Sequence, residues 1–203
     1  MERRDRVDPR LQTPQVVDAA ADLARYLLGS NPERLHHSEA VAARATFLSA
    51  AVAADEAPLL VAAAWLHDIG YTATLRATDF HPVDGGLHLR RLGWPSLVSD
   101  LVAHHSGSRY VAAARELDVV LADFSYVQDP LSDALTIADQ TAGPDGRPMT
   151  VEERMADMLD RHGPDSPNAR AHPERRPYLL GAAQRVLFRL EAAGIPAEEA
   201  RIL

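Results

Sequence analysis

His67 and Asp68 stand side by side where an apolar run, Val61-Ala-Ala-Ala-Trp-Leu66, gives out, and Gly70 comes two residues later. Such a run is expected to be buried, and burying an ionisable pair costs several kcal/mol unless something compensates it. A metal ion is the simplest compensation. Asp offers hard oxygens and neutral His a ring nitrogen. Neighbours on a helix point roughly 100° apart, so the pair can grip two sides of one ion or be shared between two. Taken alone, the dipeptide is read more readily as a capped polar pair at a helix end.

The remaining histidines change that balance. The chain has nine, and seven of them (His36, His37, His67, His81, His88, His104 and His105) fall within one stretch of the chain. His36 and His88 read as surface or supporting groups. Asp139 is an acidic residue on an otherwise apolar helical face with Leu131, Leu135 and Ala138. Asp84, three residues after His81, could orient a water or a ligand, and has an ordinary explanation as a first-turn carboxylate.

These residues need helices to position them. Gln15 to Leu28 is amphipathic and stops at Gly29. Asn31 and Pro32 are a cap and first-turn proline for a helix expected to reach Ala54, with His37 near the start of its buried stripe. Pro58 opens the helix that ends in His67 and Asp68, while Pro82 is expected to leave His81 on a turn before the next helix. Further helices are read over Ser96 to His105, over Tyr110 to Tyr126 with a break near Asp118, and from Asp129-Pro130 through Asp139. Thr150 and Glu153 form a capping box for a helix to about Arg161. Gly163 to Pro177 reads as a loop, and Tyr178 to Ala193 as the last helix. No segment reads as a strand, so the fold class is all-α. The expected organisation is a charged tail over 1–13, a helical metal-binding domain over 14–142, and a helical extension over 143–203 packed on the same domain. That extension either closes the pocket or forms the surface of a homodimer.

Composition narrows the chemistry. The absence of cysteine removes disulfides, thiolate nucleophiles and Cys-type zinc sites, and fits a cytoplasmic protein. All 21 basic residues are Arg, so neither a Schiff-base lysine nor a P-loop lysine is available. A net charge of −8 disfavours a nucleic-acid polymer as partner. No apolar run approaches the length of about 18 residues that a membrane span needs.

In chain order, the pieces Arg34-Leu-His-His37-Ser38, Ala64-Trp-Leu-His67-Asp68-Ile-Gly70, His81-Pro82 followed by Gly85, His104-His105-Ser-Gly107 and Ile137-Ala138-Asp139 resemble the HD superfamily of metal-dependent phosphohydrolases. The resemblance implies an HD-domain helical bundle with extra N- and C-terminal helices. It also implies four common ligands, His37, His67, Asp68 and Asp139, with Asp68 as the bridging carboxylate and Asp68 and His67 at the catalytic centre. His81 and His104 match the additional ligands of dinuclear members, which implies two divalent ions, iron or manganese before others. His105 matches a further ligand of the HD-GYP branch, whose Gly-Tyr-Pro tail is replaced here by Ser-Gly-Ser-Arg-Tyr-Val. The layout looks closer to HD-type diadenosine tetraphosphate hydrolases.

Two divalent ions and two Asp ligands would leave the site with about two positive charges, an anion trap within an acidic protein. Arg44, Arg76 and Arg109, and behind them Arg90 and Arg91, are the candidate holders of further phosphates. The expected function is hydrolysis of a small phosphate ester or anhydride, a nucleotide first, by a metal-activated water. The alternatives are an HD-type mixed-valent di-iron oxygenase and a non-catalytic metal-binding or regulatory module.

Overall fold

A computed structural model describes residues 15–203; the charged tail expected over 1–13 lies outside the described residues. The all-α expectation holds. Among the described residues there is no strand, only an isolated bridge between Ala142 and Pro148.

The helices are α1 (Gln15–Leu28), α2 (Pro32–Leu48), α3 (Ala57–Leu66), α4 (His81–Arg91), α5 (Ser96–His104), α6 (Ser108–Ala114), α7 (Asp118–Leu121), α8 (Pro130–Gln140), α9 (Val151–His162), α10 (Pro167–Ala192) and α11 (Ala197–Ala200). Helix α3 is the axis of the fold. Its Leu60, Ala62, Ala63, Ala64 and Leu66 are fully buried, which suits a helix that is apolar all round, and α1, α2, α5 and α8 pack against it. A buried axis of this kind carries the residues at its C-terminal end, His67 and Asp68, into the interior.

Local signals set most of the helix starts. The Asn31 side chain accepts from the Arg34 amide, with Pro32 in the first turn. Asp129 with Ser132 and Thr150 with Glu153 form reciprocal capping boxes that start α8 and α9.

Three expected boundaries are corrected. Helix α2 ends at Leu48 and passes through a short 3-10 turn, Ser49–Ala51, because the Thr46 and Ser49 hydroxyls bond back to the Ala42 and Ala45 carbonyls and loosen the last turns. The helix expected over Tyr110 to Tyr126 with a break near Asp118 does break there, where Glu116 turns left-handed at φ 59°, but its two pieces are short: α6 starts at Ser108 and α7 ends at Leu121. The loop expected over Gly163 to Pro177 is largely the first half of α10, which carries Pro173 and Pro177 in its interior. Each proline removes a backbone donor. The helix survives them because Ala171, Arg175, Tyr178, Leu179, Ala182 and Val186 form one buried stripe, and tertiary packing outweighs local propensity.

Candidate metal centre

Five separate elements deliver side chains to one point. His37 projects from the second turn of α2 and Asp139 from the last turn of α8, while His67 and Asp68 come directly after α3. His81 is the first residue of α4 rather than a residue on the preceding turn, because the extended residue before the helix is Phe80 (φ −126°, ψ 97°). Pro82 then lies inside the first turn, where its missing N–H costs nothing. His105 comes just after α5. Gly70 lets α4 come close: a Cβ there would stand 2.0 Å from the His81 carbonyl oxygen and 2.8 Å from the Gly85 nitrogen.

The result is two adjoining groups. His37, His67 and Asp139 form the first and Asp68, His81 and His105 the second, with the candidate ligand atoms of each group within 4.8 Å of one another. In the first, His37 Nε2 lies 3.0 Å from Asp139 Oδ1, and His67 Nε2 lies 3.9 Å from the same oxygen. In the second, His81 Nε2 lies 3.3 Å from both Asp68 Oδ1 and His105 Nε2. Asp68 connects the groups, since its Oδ2 is 3.5 Å from His67 Nε2 and 3.9 Å from His37 Nε2.

Hydrogen bonding shows that these residues suit a cation. The Nδ1 atoms of His37, His67 and His105 face the carbonyl oxygens of Gly143, Ala64 and Val102 at 2.8, 2.8 and 2.6 Å. A carbonyl only accepts, so each Nδ1–H donates, and in that tautomer Nε2 is left as a bare lone pair turned into the cluster. Lone pairs facing carboxylate oxygens repel unless a positive charge lies between them. His67 Nε2 is buried and has no hydrogen-bond partner. A divalent cation would satisfy the convergent nitrogens and oxygens together.

Neighbouring groups hold the donors ready. Burial pushes His67 down to about 4 and His81 down to about 3, so both rings are neutral at physiological pH and need not release a proton to bind metal. Burial by itself would raise Asp68, yet the neighbouring His67 and His81, which take up protons as the pH falls, and the Arg34 guanidinium hold its carboxyl far below the ordinary range. Arg34 Nη1 donates to Asp68 Oδ2 at 2.9 Å and stacks on Tyr71, which in turn stacks on His81 at 4.0 Å. Burial opposes ionisation of Asp139 as well, and the adjacent His37 and His67 with the Arg154 guanidinium bring it well below its usual value. The Ser106 hydroxyl donates to Asp139 Oδ2, and Gln140 Nε2 donates to both Ser106 Oγ and Asp139 Oδ2, which leaves Asp139 Oδ1 facing the histidines.

One expected ligand is corrected. His104 joins neither group; its Nε2 lies 3.0 Å from the Phe124 carbonyl oxygen, and His105 takes the place expected of it. The reason is the end of α5. His104 sits at φ −104°, ψ 3°, while His105 leaves the helix at φ −56°, ψ 149°, and the two side chains go to different partners, the Phe124 carbonyl and His81. Ser106 and Gly107 come next in left-handed conformations and turn the chain back into α6.

The centre forms part of the wall of a cavity of about 480 Å³. Of the expected phosphate holders, only Arg76 lines it. Arg44 turns away to the Thr141 hydroxyl and the Ala200 carbonyl, Arg90 pairs with Asp100, and Arg109 sits among Tyr110, Tyr126 and Tyr178. Arg34, Arg115, Arg154, Arg161 and Arg175 line the cavity instead. Arg34 carried a signal, one helical turn before His37 on the same face. The arginines of α9 and α10 carried none, because their approach depends on how the C-terminal helices pack.

The family model described as the HD domain matches residues 34–164, a span that includes both His/Asp groups. Comparison with curated proteins and with solved structures finds no match.

Proposed function

The chain belongs to the HD-domain family of the metal-dependent phosphohydrolase superfamily, and from that premise we propose that it hydrolyses a small phosphate ester or anhydride, with a nucleotide as the first candidate. The observation that carries the reading is the convergence of bare imidazole nitrogens and two carboxylates on the wall of an arginine-lined cavity. Two bound divalent ions, iron or manganese given the mixed nitrogen and oxygen donors, would supply positive charge and a water acidified enough to attack phosphorus.

The chain's own residues then have distinct tasks. His37, His67 and Asp139 would hold one ion, and Asp68, His81 and His105 the other, with Asp68 turned toward both groups. Arg34 fixes the Asp68 carboxylate through its Nη1, and the Tyr71 ring beneath it restricts its swing. Ser106 and Gln140 fix Asp139. With neither Cys nor Lys in the chain, those two nucleophiles are absent, and attack by water needs neither. Arg34, Arg76 and Arg115 reach the cavity from the α2 side, the loop before α4 and the end of α6, where guanidinium forks suit phosphate oxygens. A cavity of about 480 Å³ lies in the size range of small-molecule sites, and Phe80, Val111 and Met158 give part of its wall an apolar character that fits an organic leaving group. The partner is therefore a small molecule, in keeping with a net charge of −8. Among the described residues no helix is long and apolar enough to cross a membrane.

The test is orthophosphate release from nucleoside mono-, di- and triphosphates by the manganese- or iron-loaded protein without oxygen, beside Asp68→Ala. Release by the native protein and its loss in the variant are expected. No release from any of them, together with substrate consumption that requires oxygen, would move the protein to the oxygenase reading.

A further inference from the structure

Helices α9 and α10 bring three arginines to one wall of the cavity: Arg154, Arg161 and Arg175. They share a single nearby carboxylate outside the metal groups. Asp157 Oδ2 lies 3.2 Å from Arg154 Nη1 and 2.9 Å from Arg161 Nε. Before Asp139 of the first metal group is counted, three cations against that one anion leave two positive charges in excess.

Two of these guanidiniums are buried. Arg154 is 7% exposed and its Nε has no partner. Arg175 is 8% exposed and makes one hydrogen bond, from Nε to the Ser106 carbonyl at 2.7 Å. Among the described residues no carboxylate lies within 4.0 Å of Arg175, and neither of its terminal nitrogens has a protein acceptor. Burial, with the nearby charge of Arg154, lowers the pKa of Arg175 against the pull of Asp139. Burying two like charges on one wall with so little compensation is costly unless an anion completes the arrangement. Anchoring Ser106 explains one of the five donors of Arg175 and leaves the others without a task.

We propose that Arg154, Arg161 and Arg175 form a second anion subsite, which holds a phosphate other than the one being cleaved, so that the substrate carries at least two phosphates in a chain. Arg154 Nη2 lies 3.9 Å from Asp139 Oδ1, so the subsite adjoins the first metal group and takes the next phosphate along. The assignment rests on the phosphohydrolase reading. Arg175 lies beyond the residues that the family model matches, 34–164, so this wall is partly an addition outside the HD domain.

The test has one readout that does not depend on turnover. Full-length protein stripped of metal and dialysed is titrated calorimetrically with inorganic tripolyphosphate and with orthophosphate. Native protein is expected to bind tripolyphosphate at least tenfold more tightly than orthophosphate, and Arg175→Gln to weaken tripolyphosphate binding by roughly 10- to 100-fold, the scale of charge-assisted hydrogen bonds. Arg161→Ala, at an exposed position whose loss does not threaten folding, is expected to weaken it by roughly 3- to 10-fold; it carries the test if Arg175→Gln does not fold. No preference for tripolyphosphate, or unchanged affinity in the variants, overturns the subsite. With the metal-loaded protein, Arg175→Gln is expected to raise KM for a nucleoside triphosphate far more than for the monophosphate while kcat holds. Equal effects on both substrates overturn the subsite but leave the phosphohydrolase reading standing. Selective tripolyphosphate binding by a protein that releases no phosphate from any substrate does the reverse.

Discussion

Replacing Gly70 by alanine should remove one metal position and leave the other. The Cβ would stand 2.0 Å from the His81 carbonyl oxygen and 2.8 Å from both the His81 carbonyl carbon and the Gly85 nitrogen, where ordinary contact begins near 3.4 Å. All three neighbours are backbone atoms, so no side-chain rotation relieves the clash, and the start of α4 must retreat by about 1.4 Å, the shortfall against ordinary contact. Gly70 is not among the residues with positive φ, so alanine is tolerated there conformationally and the effect is steric. Overpacking of this kind costs about 1–3 kcal/mol of stability. The same retreat carries His81 Nε2 away from Asp68 Oδ1 and His105 Nε2, each now 3.3 Å distant. Metal coordination tolerates only about 0.2 Å. Affinity for the second ion should therefore fall by at least about tenfold and activity by about 100-fold. The group of His37, His67 and Asp139 keeps its ion, because none of its residues is among the nearest atoms that the added Cβ meets. Elemental analysis and calorimetric metal titration read the outcome. A folded Gly70→Ala protein that binds two ions with native affinity would refute the reasoning.

Other parts of the structure give three further expected outcomes. His105→Ala should lose the second ion. His104→Ala should retain both ions while losing about 1–2 kcal/mol through its buried bond to the Phe124 carbonyl; equal metal loss in both would refute the assignment. The metal-free protein should lose stability on acidification. The folded state holds His67 near 4 against an ordinary 6.5, so the unfolded chain takes up a proton that the native state refuses. The contribution, about 3 kcal/mol, is full above pH 6.5 and is lost as pH falls toward 4. Asp139, held well below its usual value, adds a loss of the same sign at lower pH. Thermal unfolding measured from pH 7.5 down to 4.5 checks this, and a flat Tm would contradict it. Asp133→Ala should cost about 2–4 kcal/mol in denaturant unfolding, because Asp133 is fully buried and takes hydrogen bonds from Arg185 at 2.9 and 2.7 Å and Arg189 at 2.9 Å; metal content should not change.

The amino-acid sequence determines by itself what depends on neighbours within a turn or two. Apolar periodicity makes the chain helical, and Asn31, Asp129 and Thr150 start their helices through caps built from adjacent residues. The apolar run before His67-Asp68 sends that pair inward because α3 has no polar face to offer to solvent. Tertiary structure decides what depends on partners far along the chain. Helix α10 continues through Pro173 and Pro177 because its buried stripe packs on α6, α8 and α9, an interaction that the local composition does not reveal. His105 rather than His104 faces Asp68 because the chain leaves α5 between them, and the left-handed Ser106 next in the chain is tied to Gln140 and Asp139 on α8. Arg154 and Arg175 reach the cavity only because α9 and α10 close over it, while Arg44 and Arg109, nearer in sequence to the metal-binding motifs, turn elsewhere. Side-chain types and helical periods are local properties, whereas the direction of a side chain past a helix end and the partner of a long arginine are settled by packing between segments distant in sequence.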